Sequence, residues 1–291
     1  YASAKMEERF DAIYLMDVEI CDQYGSTADN VLFDGNPKAT EAIDETVTQS
    51  TFYTIERFAA RGLSTSFSAA YYPNVDFEFT ESGNAQNILL TSDGTPASIA
   101  ALAAFARTDR REGAWGTPAG YDNGRPEMIT GTNVLLTAED VKSLNVNSIN
   151  PIIVFNDVLN PEQISESDLT VEGTGVINGQ RTLLNKTSAL SRLDVRKLMV
   201  FIRRKVRDIA LTFIFEPNQT SVLSDLSSAV ASELDKLVAA GAVIQYKVVI
   251  DESTTSQADI ENNTVRGKVF VQPYRSVEII SIDVNIQNSI D

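Results

Sequence analysis

The clearest pattern along the chain is a helical repeat of apolar residues followed at once by an apolar run. One face of the predicted helix is formed by Val195, Leu198, Met199, Ile202 and Val206, with Asp194 as a suitable N-cap. The run from Ile209 to Phe215 then predicts a buried strand, which Glu216-Pro217-Asn218 would end. The opposite helix face is basic and carries Arg196, Lys197, Arg203, Arg204, Lys205 and Arg207. We therefore expect a helix–strand unit with one buried and one charged face.

The patterns before residue 137 alternate between strands and helices. Strands are predicted at Ala12–Ile20, Thr65–Tyr72 and Val75–Phe79, and helices at Thr40–Gly62 and Pro96–Arg107. This order is typical of an α/β domain with a mostly parallel, Rossmann-like sheet. We therefore expect residues 1–136 to form one α/β domain.

A second group of elements follows from residue 137. Helices are predicted at Ala138–Leu144 and Leu223–Ala240, and strands at Ile149–Phe155, Leu169–Ile177, Ala242–Ile250, Val265–Pro273 and Val277–Ile286. With the helix–strand unit above, they indicate a two-layer α+β domain with a mixed or antiparallel sheet over residues 137–291. The last strand is expected at a sheet edge, which needs protection or serves as a docking site. We expect this domain to carry the surfaces for contact with other subunits.

Composition narrows the function classes more than it narrows the fold. The chain of 291 residues has a net charge of −16, so an exposed nucleic-acid groove is not expected. It has no histidine and one cysteine, Cys21, which removes the commonest general base and rules out an intrachain disulfide. No apolar stretch is long enough for a membrane span, and the N-terminus lacks the pattern of a signal peptide. Because the chain starts at Tyr1, we expect a processed or trimmed piece of something longer.

Three segments are candidates for chemistry, and each has a simpler structural interpretation. Asp251-Glu252 follows a predicted strand and could hold Mg²⁺ in a hydrolase or transferase, although a solvated loop needs the same residues. The glycines from Gly173 to Gly179 have the spacing G-x-G-x-x-x-G without the helix that a dinucleotide site needs, which favours a turn in a β segment. Trp115 lies in a Gly/Pro loop, and we expect it to anchor that loop against this chain or a neighbouring subunit; stacking on a ligand is the alternative.

The basic helix face stands out because the chain as a whole is acidic. A solvated face is the simplest interpretation, and contact with a negative patch on another copy of the chain is the alternative. Nucleic acid is the least favoured partner. We expect inter-subunit contacts from Arg196, Lys197, Arg203, Arg204 and Arg207.

A series of short motifs resembles the contractile tail sheath proteins of bacteriophages. In chain order they are Ala69-Ala70-Tyr71-Tyr72-Pro73, Thr95-Pro96-Ala97-Ser98 with Arg107-Thr108-Asp109, the loop Gly113–Gly120, Leu144-Asn145, Asn150-Pro151-Ile152, Gly179-Gln180-Arg181-Thr182-Leu183, Val195-Arg196-Lys197-Leu198-Met199, Phe215-Glu216-Pro217-Asn218, Asp251–Thr255 and Val271-Gln272-Pro273. Each match is weak alone, but their order and spacing make the set specific. The family's tryptophan-rich positions are reduced here to Trp115, which suggests a distant branch.

The resemblance implies a mechanical protein without a cofactor. A sheath subunit would polymerise as stacked rings around an inner tail tube and rearrange on contraction to drive the tube through the host envelope. Its partners would be other sheath subunits, the tube protein, and the baseplate and tail terminator proteins, with no direct contact to nucleic acid and no membrane insertion. It would be assembled in the host cytoplasm and reside in the virion tail. Family members usually carry terminal arms that add strands to neighbouring subunits' sheets, and here we expect both arms to be missing or shortened.

Overall fold

The computed structural model describes most of the chain between Glu8 and Glu278. The described residues are 8–18, 64–81, 84–88, 95–126, 129–132, 136, 138–155, 171–172, 174–217, 219–251 and 253–278. The predicted helix Thr40–Gly62 lies outside these residues, and so does the predicted strand Val277–Ile286 beyond Glu278.

The helices and strands follow one another in a mixed order. The helices are α1 (Ala97–Arg111), α2 (Gly120–Asn123), α3 (Ala138–Val146), α4 (Leu193–Leu211), α5 (Thr220–Ala239) and α6 (Gln257–Glu261). The strands are β1 (Tyr14–Asp17), β2 (Ser68–Tyr72), β3 (Val75–Glu81), β4 (Asn84–Ile88), β5 (Ile129–Thr132), β6 (Ile149–Phe155), β7 (Val171–Glu172), β8 (Thr174–Ile177), β9 (Val243–Val249) and β10 (Lys268–Pro273).

A four-stranded sheet with the spatial order β1-β2-β6-β8 occupies the centre of the first half. The strands β1, β2 and β6 are parallel, and β8 runs antiparallel to β6. Every residue of β2 is buried, as expected for a central parallel strand that is covered on both faces.

Alternation along β2 divides the core between the two faces of this sheet. Ala69 and Tyr71 pack in one apolar cluster with the alanine-rich helix α1, whereas Ala70 and Tyr72 pack in another with Leu144 of α3. The small side chains of α1 let this helix lie close to the sheet. Its first turn has no side-chain N-cap of its own, and Asp17 at the end of β1 accepts hydrogen bonds there from the Ser98 amide (2.6 Å) and hydroxyl (2.7 Å).

A second, antiparallel sheet with the order β4-β3-β5-β7 adjoins the first. The fold is therefore mixed α/β, and the Rossmann-like arrangement predicted for residues 1–136 is not confirmed. The sheet β1-β2-β6-β8 has strands from both sides of residue 136, because β6 pairs with β2 and β8 pairs with β6. We call the described residues between 8 and 192 the first unit and those between 193 and 278 the second unit.

The second unit packs two helices against a β-hairpin. The strands β9 and β10 pair antiparallel, with Tyr246 opposite Val271, and their inner face covers α5. The core of this unit contains Leu198 and Ile202 of α4 and Leu234 of α5. Gly241, at φ +74°, ends α5 in the left-handed backbone region that glycine adopts without strain.

The predicted buried strand Ile209–Phe215 is wrong. The helix α4 continues to Leu211, and the chain then turns through residues 212–215, where the amides of Thr212 and Phe213 bond to carbonyl groups three residues back. Ile209 remains at the rim of the core, but Leu211, Ile214 and Phe215 are exposed. A short apolar run does not by itself distinguish a strand from the end of a helix. Here the run forms the last turn of α4 and the start of the connection to α5.

Candidate assembly surface

The helix α4 changes its surroundings along its length. Its first two turns are buried and include Asp194, Arg196 and Lys197, whereas the cations of its later turns are exposed. The predicted N-cap Asp194 lies inside the first turn instead, and Arg192 takes the N-cap position. The buried turns lie between the two units, whereas the cations of the later turns lie at the surface.

Arg196 contacts the first unit. Its guanidinium lies 4.0 Å from the centre of the Phe67 ring, and it donates a hydrogen bond to the Ser66 hydroxyl. Only 8% of Arg196 is exposed, so its charge is held against the aromatic face rather than in water.

Lys197 makes a second contact with the first unit. Its ammonium group lies 2.6 Å from Asp109 Oδ1, 3.2 Å from the Gly116 carbonyl oxygen and 4.8 Å from the centre of the Phe105 ring. Burial lowers the pKa of Lys197, and the carboxylate of Asp109 opposes that shift. Arg196 and Lys197 therefore join α4 to the first unit within this chain.

Three of the exposed cations of α4 form what we call the basic ridge: Arg203, Arg204 and Arg207. Arg203 lies over the Phe10 ring at 4.2 Å, and Arg207 lies 3.6 Å from its neighbour Asp208. These contacts leave the charged groups at the surface, so the ridge can meet an acidic surface of another molecule.

The ridge leads directly to an exposed apolar turn, which we call the apolar tip: Leu211, Ile214 and Phe215. Phe215 is fully exposed and has a φ of +72°, a backbone region that costs a bulky residue free energy. Exposed apolar side chains beside a basic stripe are typical of a surface that contacts another protein.

The hairpin β9–β10 is a further candidate contact, because a two-stranded sheet leaves backbone groups along its edges. Among the described residues no third strand joins it. Its outer face presents Lys247, Phe270 and the hydrogen-bonded pair Gln245–Gln272 (2.6 Å). An added strand would give this hairpin the partner that small sheets usually need.

The segment after β10 crosses back to the first unit, and we call residues 274–278 the strap. The Ser276 hydroxyl donates to Asp194 Oδ2 (2.5 Å), and the Thr117 hydroxyl lies 2.5 Å from Ser276 Oγ. Glu278 forms an ion pair with Arg192 (2.6 Å) and accepts a hydrogen bond from Gln180 (3.2 Å). The strap therefore joins the two units near the start of α4.

Trp115 anchors its loop within this chain, as predicted. The indole is half-buried, packs with the core of the second unit and meets the Phe201 ring edge to face at 6.3 Å. A Cβ on Gly113 would lie 2.8 Å from the indole, so glycine is required where the loop folds over the ring.

The remaining sequence candidates take ordinary structural positions. Thr174–Ile177 is strand β8, which agrees with a β segment rather than a phosphate loop. Asp251 is exposed, and its carboxylate accepts hydrogen bonds from the Ser253 amide (2.9 Å) and hydroxyl (2.5 Å), which lower its pKa. Glu252 lies outside the described residues, and within those residues no three acidic or cysteine side chains cluster as metal ligands.

Comparison with known proteins identifies relatives of this chain. Residues 185–287 match the family described as the phage tail sheath C-terminal domain. The chain is 26% identical over 186 residues to the tail sheath protein of Vibrio phage KVP40, and 26% identical over 191 residues to that of Enterobacteria phage T4. The chain is similar in sequence to contractile tail sheath proteins. Each alignment covers 64% of this chain, and the chain spans about a quarter of the length of these curated relatives.

The fold is also similar to that of a solved sheath. The sheath complex of PVC, an extracellular contractile injection system, in its contracted state matches with a TM-score of 0.63 and 23% identity. The match covers 84% of this chain and 62% of that chain. The sheath family match begins at residue 185, close to the start of the second unit, and includes the basic ridge, the apolar tip and the strap.

Proposed function

We propose that this chain is a structural subunit of a contractile phage tail sheath, or the core of one. It polymerises as stacked rings around an inner tail tube, and on contraction the subunits rearrange and drive the tube through the host envelope. The observation that carries this proposal is the relation to sheath proteins in both sequence and fold. No cofactor or catalytic step is part of the proposal, because the energy of contraction comes from two different packings of the same subunits.

The proposed partners are other sheath subunits, the inner tail tube protein, and the baseplate and tail terminator proteins. The net charge of −16 argues against direct contact with nucleic acid. Within the described residues, no helix has both the length and the apolar character to cross a membrane. We propose that the protein is assembled in the host cytoplasm and resides in the virion tail.

The basic ridge is the proposed contact with an acidic surface of a neighbouring subunit. The chain has 40 acidic and 24 basic residues, so two copies repel each other over most of their surfaces. The basic ridge of one copy is instead attracted to the acidic surface of the other. We assign this role to Arg203, Arg204 and Arg207. Arg196 and Lys197 belong to the same helix, but their burial against the first unit gives them a positioning role for α4.

The hairpin β9–β10 is the proposed acceptor for a terminal arm of a neighbouring subunit. An extended arm that adds a strand would form backbone hydrogen bonds along the edge of the hairpin, and these bonds require few specific side chains. In this proposal, the residues that follow Glu278 belong to such an arm.

The test of this function is electron microscopy of the protein expressed with its natural termini. Regular hollow tubes or stacked rings are expected. Charge reversal at Arg203 and Arg204 (Arg203→Glu, Arg204→Glu) should weaken assembly about tenfold or more, because each like-charge contact costs binding energy, and should change the melting temperature little. The matched control is Arg110→Glu, an exposed cation on α1.

Two results would contradict the proposal. A protein with intact termini that stays monomeric at high concentration would rule out a sheath subunit. Equal loss of stability and assembly in the charge-reversed variant would show that the ridge stabilises the fold instead.

A further inference from the structure

A polar pocket of about 500 Å³ lies in the first unit beside the start of α4. Its lining includes three cations and three hydroxyl groups: Arg181, Lys186, Arg192, Ser148, Thr187 and Ser191. Such a concentration of positive charge and donors is unusual on a chain with a net charge of −16. The sheath resemblance gives this pocket no role.

The backbone holds the two arginines of the pocket side by side. Arg181 and Arg192 face each other across an antiparallel β-bridge, which is flanked by hydrogen bonds from the Thr182 amide to the Ser191 carbonyl (3.0 Å) and from the Leu193 amide to the Gln180 carbonyl (2.9 Å). Their proximity is therefore built into the fold. Burial lowers the pKa of Arg181, and the positive charge of Arg192 lowers it further.

The described residues neutralise the positive charge of the pocket only in part. Glu278 binds Arg192 through Nη2 at 2.6 Å. The other terminal nitrogen of Arg192, Nη1, is buried and has no hydrogen-bond partner among the described residues. A buried donor of this kind costs free energy unless an acceptor reaches it. Among the described residues, Glu278 is therefore the carboxylate paired with Arg192, and Arg192 Nη1 still needs an acceptor.

We propose that the pocket is an oxyanion site, in which Arg181, Lys186 and Arg192 bind a carboxylate or a phosphate group. A planar or tetrahedral oxyanion can accept hydrogen bonds from two arginines at once, and it neutralises the positive charge that Glu278 does not neutralise. In a sheath, we assign the occupant to an acidic side chain of a second copy. That assignment rests on the proposed function, because an acidic chain offers carboxylates wherever two copies meet.

The first experiment tests the site itself with inorganic phosphate. Calorimetric titration of phosphate into the full chain, at constant ionic strength set with sodium chloride, should show saturable binding. Arg181→Gln and Lys186→Gln should each weaken that binding about tenfold, since a charge-assisted hydrogen bond is lost. Lys186 is exposed, so its variant should keep the melting temperature of the wild type. The control Lys268→Gln removes an exposed cation of β10 and should bind phosphate as the wild type does.

Absence of saturable phosphate binding would overturn the proposal. Equal binding by Lys186→Gln, Arg181→Gln and Lys268→Gln would also overturn it, because the anion would then be held by general charge alone.

The second experiment separates the two sources of the oxyanion. If a carboxylate of a second copy fills the pocket, replacing chloride by phosphate at equal ionic strength should raise the protein concentration needed for assembly, and Lys186→Gln should abolish that difference. Phosphate binding without any effect on assembly would overturn the assignment to a second copy. A protein that binds phosphate but never assembles would contradict the proposed sheath function and leave the oxyanion site supported.

Discussion

Asn150 bonds to three backbone groups from two different segments of the first unit. Its amide nitrogen donates to the carbonyls of Ala70 (3.0 Å) and Arg181 (2.9 Å), and its Oδ1 accepts from the Arg181 amide (2.6 Å). A Cβ on Gly179 would lie 2.8 Å from that oxygen, so the neighbouring segment needs glycine there. The Asn-Pro-Ile and Gly-Gln-Arg motifs of the sequence are therefore two sides of one contact.

Replacing Asn150 by alanine should destabilise the fold strongly. Three backbone groups would lose a buried partner, and the expected loss in the free energy of unfolding is about 3 kcal/mol, measured by urea unfolding. Asn178→Ala is the matched control, because that side chain is exposed, and its effect should stay within about 0.5 kcal/mol. Similar losses in the two variants would contradict this role for Asn150.

Asp259 gives stability that depends on pH. Ser256, through its hydroxyl and amide, and Arg266 donate to its carboxylate, and these bonds lower the pKa of Asp259 to about 2. Because the pKa is lower in the folded chain than in the unfolded chain, the contribution is complete above about pH 4 and is lost as the pH falls towards 2.

We expect Asp259→Asn to be less stable than the wild type at pH 6, with the difference shrinking towards pH 2. The measurement is the midpoint of urea unfolding across this range. Ser256→Ala removes the hydrogen bond that contributes most to the lowered pKa of Asp259. The stability difference between the wild type and this variant should therefore depend on pH in the same way. Parallel pH profiles for wild type and Asp259→Asn would show that the carboxylate is not the source of the effect.

At the scale of elements, the periodicity of apolar residues predicted the strands and helices that are determined by a single segment. The strands β1, β2, β3 and β6 and the helices α1, α3 and α5 lie where their patterns place them. The end of α4 was predicted wrongly, because the run Ile209–Phe215 is apolar in either conformation. The conformation of this run depends on the position of α5, and the local sequence pattern does not specify that position.

The candidate site shows the same limit. The pattern of α4 identified its cations, but it could not separate the buried cations from the exposed ones. Arg196 and Lys197 are buried by Phe67, Phe105 and Asp109, which lie roughly 90 to 130 positions earlier in the chain. The missed parts, the strap and the oxyanion pocket, also depend on distant pairs. Only the run of exposed cations beyond Ile202 followed from the pattern of the helix itself.

Phe215 allows stability and assembly to be separated at the apolar tip. Its ring is fully exposed and its φ of +72° favours glycine, so Phe215→Gly should raise the free energy of unfolding by up to about 1 kcal/mol. If the tip contacts a neighbouring subunit, the same change should weaken assembly. Thermal unfolding and a sedimentation assay would measure the two effects.

Phe215→Ser is the companion variant, because it removes the ring and keeps the disfavoured backbone. It should leave stability nearly unchanged and weaken assembly as much as Phe215→Gly does. A destabilised Phe215→Gly would show that the backbone at Phe215 is not strained. Normal assembly of either variant would show that the tip does not contact a neighbouring subunit.

At the scale of the whole molecule, a small set of polar contacts joins the strap to the rest of the chain. Ser276 reaches Asp194 and Thr117, and Glu278 reaches Arg192 and Gln180. All four partners lie in or beside the start of α4 or in the Trp115 loop. The strap therefore fixes the position of Glu278, from which the chain continues.

The double variant Ser276→Ala, Glu278→Gln should release this segment without unfolding either unit. Both units keep their apolar cores, so the main melting transition should change little, whereas amide hydrogen exchange over residues 274–278 and the first turn of α4 should become about tenfold faster. The control Ser221→Ala, Glu261→Gln changes the same residue types at exposed positions of the second unit. Unchanged exchange would mean that backbone packing alone holds the strap. Faster exchange with normal tube formation would mean that a terminal arm can reach its neighbour even when the direction of the chain after Glu278 is not fixed. Faster exchange with a loss of tubes would mean that assembly requires this direction to be fixed.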